Sequence, residues 1–254
     1  MPITVIAHRG ASAYAPENTF AAFDRAIAMR ATEIEFDVRI TRDGYPVVLH
    51  DDCVDWTTNG HGMIEDLKYE DIKDLDAGSW YGVAFKDQRI PLLQDTIKKY
   101  ADKCRLYVEV KSSNTAVASE VISSLHKGGA THSSVLVTDY IDVARHVRRH
   151  QPEISVNWGQ FPFPANGLVD ATSNSLTSIS VHYDHLTQDF VSKAHAGKLK
   201  VLAYGENLAR EWRKAFLCGA DGLYAETPDV AMFYLEYLAR ESEKASSDAL
   251  WKKK

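Results

Sequence analysis

The 254-residue sequence predicts an α/β protein, a (β/α)8 TIM barrel with a small insertion after its second strand. Three observations point there. Short β-branched runs alternate with amphipathic segments from end to end, the pattern of parallel strands joined by crossover helices. About eight such units fit in the chain, the size of a closed eight-unit barrel. No GxGxxG turn follows the first strand, which removes the main support for a doubly wound open sheet.

The expected strands are "ITVIAH" (3–8), "EIEFDV" (33–38), "RLYVEVK" (105–111), "SVLVTD" (134–139), "ISVNW" (154–158), "SISVH" (178–182), "KVLAY" (200–204) and "DGLYA" (221–225). Helical patterns such as "NTFAAFDRAIAMR", "NTAVASEVISSLHKGG" and "NLAREWRKAFLCGA" lie between them, and Asn18 is expected to cap the first. One segment breaks this rhythm. In "ITRDGYPVVLHDD" the Asp43-Gly44 pair between two extended runs signals an antiparallel hairpin, so "YPVVLH" is left out of the barrel. It begins an insertion running from about residue 40 to 92 and ending at the helix "LLQDTIKKYA". Residues 1–245 are thus expected to form one domain, and 246–254 ("SSDALWKKK") a disordered tail.

Composition narrows the function classes. At 45% hydrophobic and 25% charged the chain is an ordinary globular protein, and a net charge of −6 argues against a nucleic-acid partner. The three cysteines Cys53, Cys104 and Cys218 are scattered and odd in number, against a disulfide framework or zinc site and suited to a reducing compartment. "MPITVIAHRG" does not resemble a signal peptide, and no apolar run is long enough to span a bilayer. A cytoplasmic protein without stable membrane insertion is expected. A homodimer is left open.

In a parallel barrel the functional face lies at the carboxyl ends of the strands. His8 and Arg9 end the first strand, Glu35 and Asp37 the second, Glu109 and Lys111 the third, and the hairpin returns His50 beside Asp37. Taken singly, each has an ordinary structural explanation: a hydrogen-bonded histidine, a surface arginine, a solvated acidic edge, a barrel ion pair. Together they do not. Glu35 and Asp37 alternate with Ile34, Phe36 and Val38, so both carboxylates point the same way and repel when poorly solvated. A divalent cation held by Glu35, Asp37 and Glu109 resolves this, and all-oxygen ligation favours a hard ion, Mg²⁺ or Ca²⁺. Arg9 and Lys111 beside it suit an anionic oxygen ligand such as phosphate, and two histidines can supply a general base and a general acid. The residues alone therefore suggest a metal-assisted phosphoesterase.

The segments "AHRGASAYAPENT", "IEFDVRITRDGYPVVLHDD", "TTNGHG" and "YVEVK", with the closing "GADGLYAETP", resemble in order and spacing the glycerophosphodiester phosphodiesterase family, most of all its short cytosolic bacterial-type members. The resemblance covers almost the whole chain. It implies a (β/α)8 barrel that hydrolyses a small-molecule glycerophosphodiester to sn-glycerol 3-phosphate and an alcohol. By matching position it implies Glu35, Asp37 and Glu109 as metal ligands, His8 and His50 as the acid/base pair, and Arg9 and Lys111 as phosphate contacts. It also implies attack by the glycerol 2-hydroxyl through a cyclic phosphate. Three positions depart from the family pattern. Trp56 stands where arginine is common, Tyr204 replaces a tryptophan expected on the wall of the glycerol site, and Glu226 replaces an aspartate.

His61, His126, His132, His146, His150 and His195 are expected at the surface. His182 and Trp158, at strand ends, are candidates for the pocket wall. The aromatics of "SWYGVAF" and "WGQFPFPANG" bear on a rival activity, a lysophospholipase D reaction, which needs an apolar entrance for an acyl chain. A phosphate-binding barrel without turnover is the other alternative; it would have no need of both histidines and all three carboxylates.

Overall fold

A computed structural model of the chain describes residues 3–251, and side chains of residues 3–245. Strands β1 (Thr4–Ala7), β2 (Glu33–Ile40), β4 (Arg105–Val110), β5 (Ser134–Thr138), β6 (Ser155–Gly159), β7 (Ser178–His182), β8 (Lys200–Tyr204) and β9 (Gly222–Ala225) pair in parallel, each with the next. The sheet closes where β1 pairs with both β2 and β9, giving the eight-stranded (β/α)8 barrel. The interpolated β3 (Pro46–Val48) pairs antiparallel to β2 only, through Val38↔Val48, Arg39↔Val47 and Ile40↔Pro46. It is the second arm of the hairpin at Asp43-Gly44, with Gly44 in the left-handed region at φ 89°.

Strand parity sets what each side chain meets. On β2, Ile34, Phe36 and Val38 point out into the large core shared with the helices, while Glu35 and Asp37 point in. Phe36 packs on Phe23 of α1 (Phe20–Ala28), ring centroids 5.7 Å apart, and burying such a side chain stabilises by about 1.5–3 kcal/mol. Inside the barrel, Ile6, Tyr107, Val135, Val137, Leu202 and Tyr224 form a separate apolar plug under the carboxyl-end face. Asn157, Ser180 and Tyr224 make this plug partly polar but satisfied: Ser180 Oγ donates to Asn157 Oδ1 at 2.7 Å and lies 3.2 Å from the Tyr224 hydroxyl.

The insertion carries a small core of its own. Val47, Leu49, Val54, Ile64, Ile72, Ala77 and Ile90 cluster around α2 (Tyr69–Ile72), before α3 (Leu93–Tyr100) re-enters the barrel wall. The wall continues with α4 (Thr115–Lys127), α5 (Ile141–His150), α6 (Gly167–Ser173), α7 (Gln188–Ala196) and α8 (Ala209–Cys218). The last helix, α9 (Pro228–Trp251), runs into the stretch expected as a tail; residues 252–254 lie outside the described residues. No helix among the described residues is long and apolar enough to cross a membrane.

The expected cap of α1 is displaced by one residue. Thr19, not Asn18, is the N-cap, its hydroxyl accepting from Ala22 N–H at 3.4 Å. Asn18 sits in the left-handed region at φ 56°, 4% exposed, and its side chain points into the barrel end.

Candidate active site

The carboxyl-end face opens into a cavity of ≈ 300 Å³ lined by His8, Arg9, Glu35, Glu109, Lys111 and Tyr204 among others. Asp37 lies beneath this lining, 1% exposed. Register explains the meeting: Asp37 pairs with Glu109 across β2 and β4, and parity turns both inward. The hairpin fixes His50 through two bonds. Leu49 N–H donates to the Asp37 carbonyl at 3.0 Å, and Arg39 Nε donates to the His50 carbonyl at 2.7 Å. His50 lines a side crevice with Glu17 and Asn18, and it is near enough to the cluster to act electrostatically on His8, Asp37 and Asp139.

One ligand oxygen from each of Glu35, Asp37 and Glu109 lies within 4.8 Å of the others. Around them, Lys111 Nζ is 2.6 Å from Glu109 Oε1 and 3.3 Å from Asp37 Oδ1. Arg9 Nε is 3.3 Å from Asp37 Oδ2, its NH1 group bonds Glu17 Oε1 at 2.9 Å, and its backbone N–H donates to Glu35 Oε2 at 2.9 Å. That backbone contact requires the left-handed turn at Arg9, φ 57°, followed by Gly10 at φ 84°. His8 Nε2 stands 4.0 Å from Glu35 Oε2, with its ring edge-on to Tyr224.

Two cations do not neutralise three carboxylates. Glu35 Oε1 and Asp37 Oδ1 are buried without a hydrogen-bond partner, and the Asp37 contact to Lys111 is an ion pair lacking hydrogen-bond geometry. Burial, then Asp37 and Glu109, push the Glu35 carboxyl well above its usual range. Burial and Asp37 push Glu109 up to about 7. Burial also acts to raise Asp37, but Lys111 and Arg9 overcome it and hold that carboxylate low. Burial, then Arg9, push His8 down to about 3, so its imidazole is neutral at neutral pH. Orphaned hard oxygens in a cluster of this size fit a divalent cation.

Two lining residues had no place in the sequence reading. Asp139 ends the β5 run and Asn207 follows β8; only their position after a strand end marks them. Phe161, from the aromatic segment after β6, lines the cavity as well. Trp158 does not line it. Asn157 and Gly159 face inward, so Trp158 faces out and is 1% exposed, against Phe163. His182 reaches the mouth indirectly, with Phe161 at 5.4 Å and Tyr204 at 5.6 Å between ring centroids. His61, His126, His132, His150 and His195 are exposed, and His146 is half-buried.

A barrel end that gathers histidine, two fixed cations and an under-compensated carboxylate cluster holds the groups that phosphoester hydrolysis calls for. The model of the glycerophosphoryl diester phosphodiesterase family matches residues 8–230, and the chain belongs to that family. It is 34% identical over 230 residues to YhdW of Bacillus subtilis (strain 168), covering 89% of this chain and 95% of that protein. It is 31% identical over 237 residues to a glycerophosphodiester phosphodiesterase of Caldanaerobacter subterraneus subsp. tengcongensis, covering 90% and 96%. A solved Oleispira antarctica phosphodiesterase, in complex with the product sn-glycerol-3-phosphate, is 26% identical with a TM-score of 0.84, covering 92% of this chain and 97% of that one.

Proposed function

We propose that the protein hydrolyses glycerophosphodiesters to sn-glycerol 3-phosphate and an alcohol with one divalent cation, Mg²⁺ or Ca²⁺. The observation that carries this reading is the under-compensated cluster of Glu35, Asp37 and Glu109 beside His8 in the cavity. These three would hold the cation, which when bound supplies Lewis-acid stabilisation of charge on the phosphoryl oxygens. Family membership and the product complex of the Oleispira relative support the substrate class.

Arg9 and Lys111 orient the diester by its phosphoryl oxygens. The glycerol moiety packs against Tyr204, which lines the same cavity. Asp51 Oδ1 lies 3.0 Å from His50 Nδ1 and holds a proton there, leaving Nε2 free to accept one. His50 takes the proton of the glycerol 2-hydroxyl as that oxygen bonds to phosphorus. The phosphorus bond to the alcohol oxygen breaks, and His8 gives that oxygen a proton. The negative charge of a bound diester raises the His8 pKa, opposing the burial and Arg9 that otherwise hold it neutral. In the second step water opens the cyclic phosphate and the two histidines exchange roles. A cytoplasmic location belongs to the same proposal and is supported by three free cysteines.

Glycerol 3-phosphate release from glycerophosphocholine and glycerophosphoethanolamine, with and without EDTA, tests the reading on wild type and His50→Ala. Metal-dependent release that the variant loses is expected. One observation favours the lysophospholipase D alternative as a second reading: Trp80 and Phe161, from the two aromatic segments, are 45% and 66% exposed. Release from lysophosphatidylcholine without release from either diester would establish it. Silence with all three substrates would leave a phosphate-binding barrel.

A further inference from the structure

The cavity has two chemically different halves. His8, Arg9, Glu35, Glu109 and Lys111 come from the ends of β1, β2 and β4 and serve phosphate and cation. The side formed after β5 and β6 carries another carboxylate, Asp139, with Gly159 and Phe161 beside it. Among the described residues nothing hydrogen-bonds or ion-pairs with the Asp139 carboxylate, which is exposed on the cavity wall and feels Lys111, Asp37 and His50 only as charges at a distance. Its backbone is anchored, the carbonyl accepting from Trp158 Nε1 at 3.2 Å. Lys111 acts on it only at a distance, its Nζ lying 2.6 Å from Glu109 and 3.3 Å from Asp37.

Asp139 is exposed at the cavity wall, and a carboxylate there without a protein partner is open to pair with a bound ligand. The space in front of it is kept open by Gly159, where a Cβ would stand 3.8 Å from Asp139 Oδ1 and 3.0 Å from Ser180 Cβ. Phe161 adds an aromatic wall to the same side, its ring braced edge-on by His182 and His185. An anion and an aromatic ring on one side of a cavity form a receptor for an organic cation, and ammonium groups are the ligands such pairs take. A diester whose alcohol carries an ammonium group brings both charges that this cavity can match, phosphate for Arg9 and Lys111 and a cation for Asp139.

We propose that the β5–β6 side of the cavity is a subsite for a cationic leaving group, in which Asp139 pairs with the ammonium of an amino-alcohol moiety and Phe161 packs against it. Diesters of amino alcohols are then preferred over those of neutral or anionic alcohols. This rests on the phosphodiesterase reading above. The competing role for Asp139 is to accept the hydroxyls of the glycerol moiety, which every substrate shares.

The test compares kcat/KM for glycerophosphocholine and for glycerophosphoglycerol, whose leaving alcohol is neutral, in wild type and Asp139→Asn. The choline-to-glycerol ratio is expected to fall about tenfold in the variant, the loss of one cation contact. An equal loss on both substrates assigns Asp139 to the glycerol moiety and overturns the proposal, as does an unchanged ratio. A second measurement needs no variant: choline, added as the free alcohol, is expected to inhibit wild-type turnover of glycerophosphoglycerol competitively at millimolar concentration, and no inhibition overturns the subsite. Phe161→Ala is expected to weaken that inhibition. Wild type inactive on both diesters with Mg²⁺ and with Ca²⁺ removes the phosphodiesterase reading and this proposal with it. Turnover of both with an insensitive ratio removes the subsite alone.

Discussion

The Asn18 side chain grips Asp37 twice: its Nδ2 donates to carboxylate Oδ2 at 2.8 Å, and its Oδ1 accepts from the Asp37 backbone N–H at 3.2 Å. Both groups are buried. The grip fixes which Asp37 oxygen is spoken for and leaves Oδ1 unbonded toward the cluster. An outer residue that orients a metal ligand in this way ordinarily matters to affinity almost as the ligand does.

Asn18→Ala is therefore expected to weaken cation binding about 10–100-fold while the cluster residues stay in place. Calorimetric titration of the EDTA-treated variant with Mg²⁺ or Ca²⁺ measures it. Leaving the buried Asp37 N–H unpaired is also expected to lower stability by about 1–3 kcal/mol, read by urea unfolding. Wild-type affinity in the variant would remove Asn18 from the site.

Asn18 also marks where sequence reasoning stops. Glu35, Asp37, Glu109 and Lys111 were legible because strand alternation places them on one side of neighbouring parallel strands, and the Asp43-Gly44 hairpin accounts for His50. The Asn18 contact was not. It depends on a left-handed backbone at φ 56° and a partner 19 positions away on another element, and locally "ENTF" reads as a helix start. Trp158 and His182 looked equivalent as strand-end residues; only the register of β6 and β7 separates the outward indole from the inward imidazole. Asp139 closes an expected strand run, but a single carboxylate there has no pattern until the cavity is seen.

A cation that relieves the repulsion among Glu35, Asp37 and Glu109 binds the folded chain and not the unfolded one. Saturation at 100 times the dissociation constant is expected to stabilise by about 2.7 kcal/mol and so to raise Tm. Thermal unfolding with EDTA, Mg²⁺ or Ca²⁺ reads the shift, which Glu35→Gln should diminish. Identical Tm values in all three would argue that the cluster holds no ion.

The three thiols should react in a fixed order. Burial pushes Cys104 up to about 12, and its Sγ lies 3.7 Å from the Tyr100 carbonyl, whereas Cys53 and Cys218 are only half-buried. The thiolate is the reactive form, so at pH 8 Cys104 is expected to resist labelling in the native protein and to react once urea is added. Thiol counting by absorbance under both conditions checks this; three fast thiols in the native state would contradict it.

Gly10 carries the turn that presents His8 and Arg9. At φ 84° an L side chain is strained by about 1–2 kcal/mol, and a Cβ would stand 2.7 Å from both the carbonyl carbon and the Cβ of Ala22. Gly10→Ala is expected to lose about 2–5 kcal/mol in all, the turn strain plus overpacking against α1. Urea unfolding measures it, and a loss under 1 kcal/mol would mean that the turn yields at about no cost.

One cation held by Glu35, Asp37 and Glu109 is proposed to make this barrel end a phosphodiesterase. The most direct test strips the protein with EDTA, restores Mg²⁺ or Ca²⁺ stepwise, and follows glycerol 3-phosphate release against bound cation. Release that is absent in the stripped protein and rises with occupancy to a plateau at one ion per chain is the expected result. Full turnover in the stripped protein, or bound cation with no release, would contradict the account.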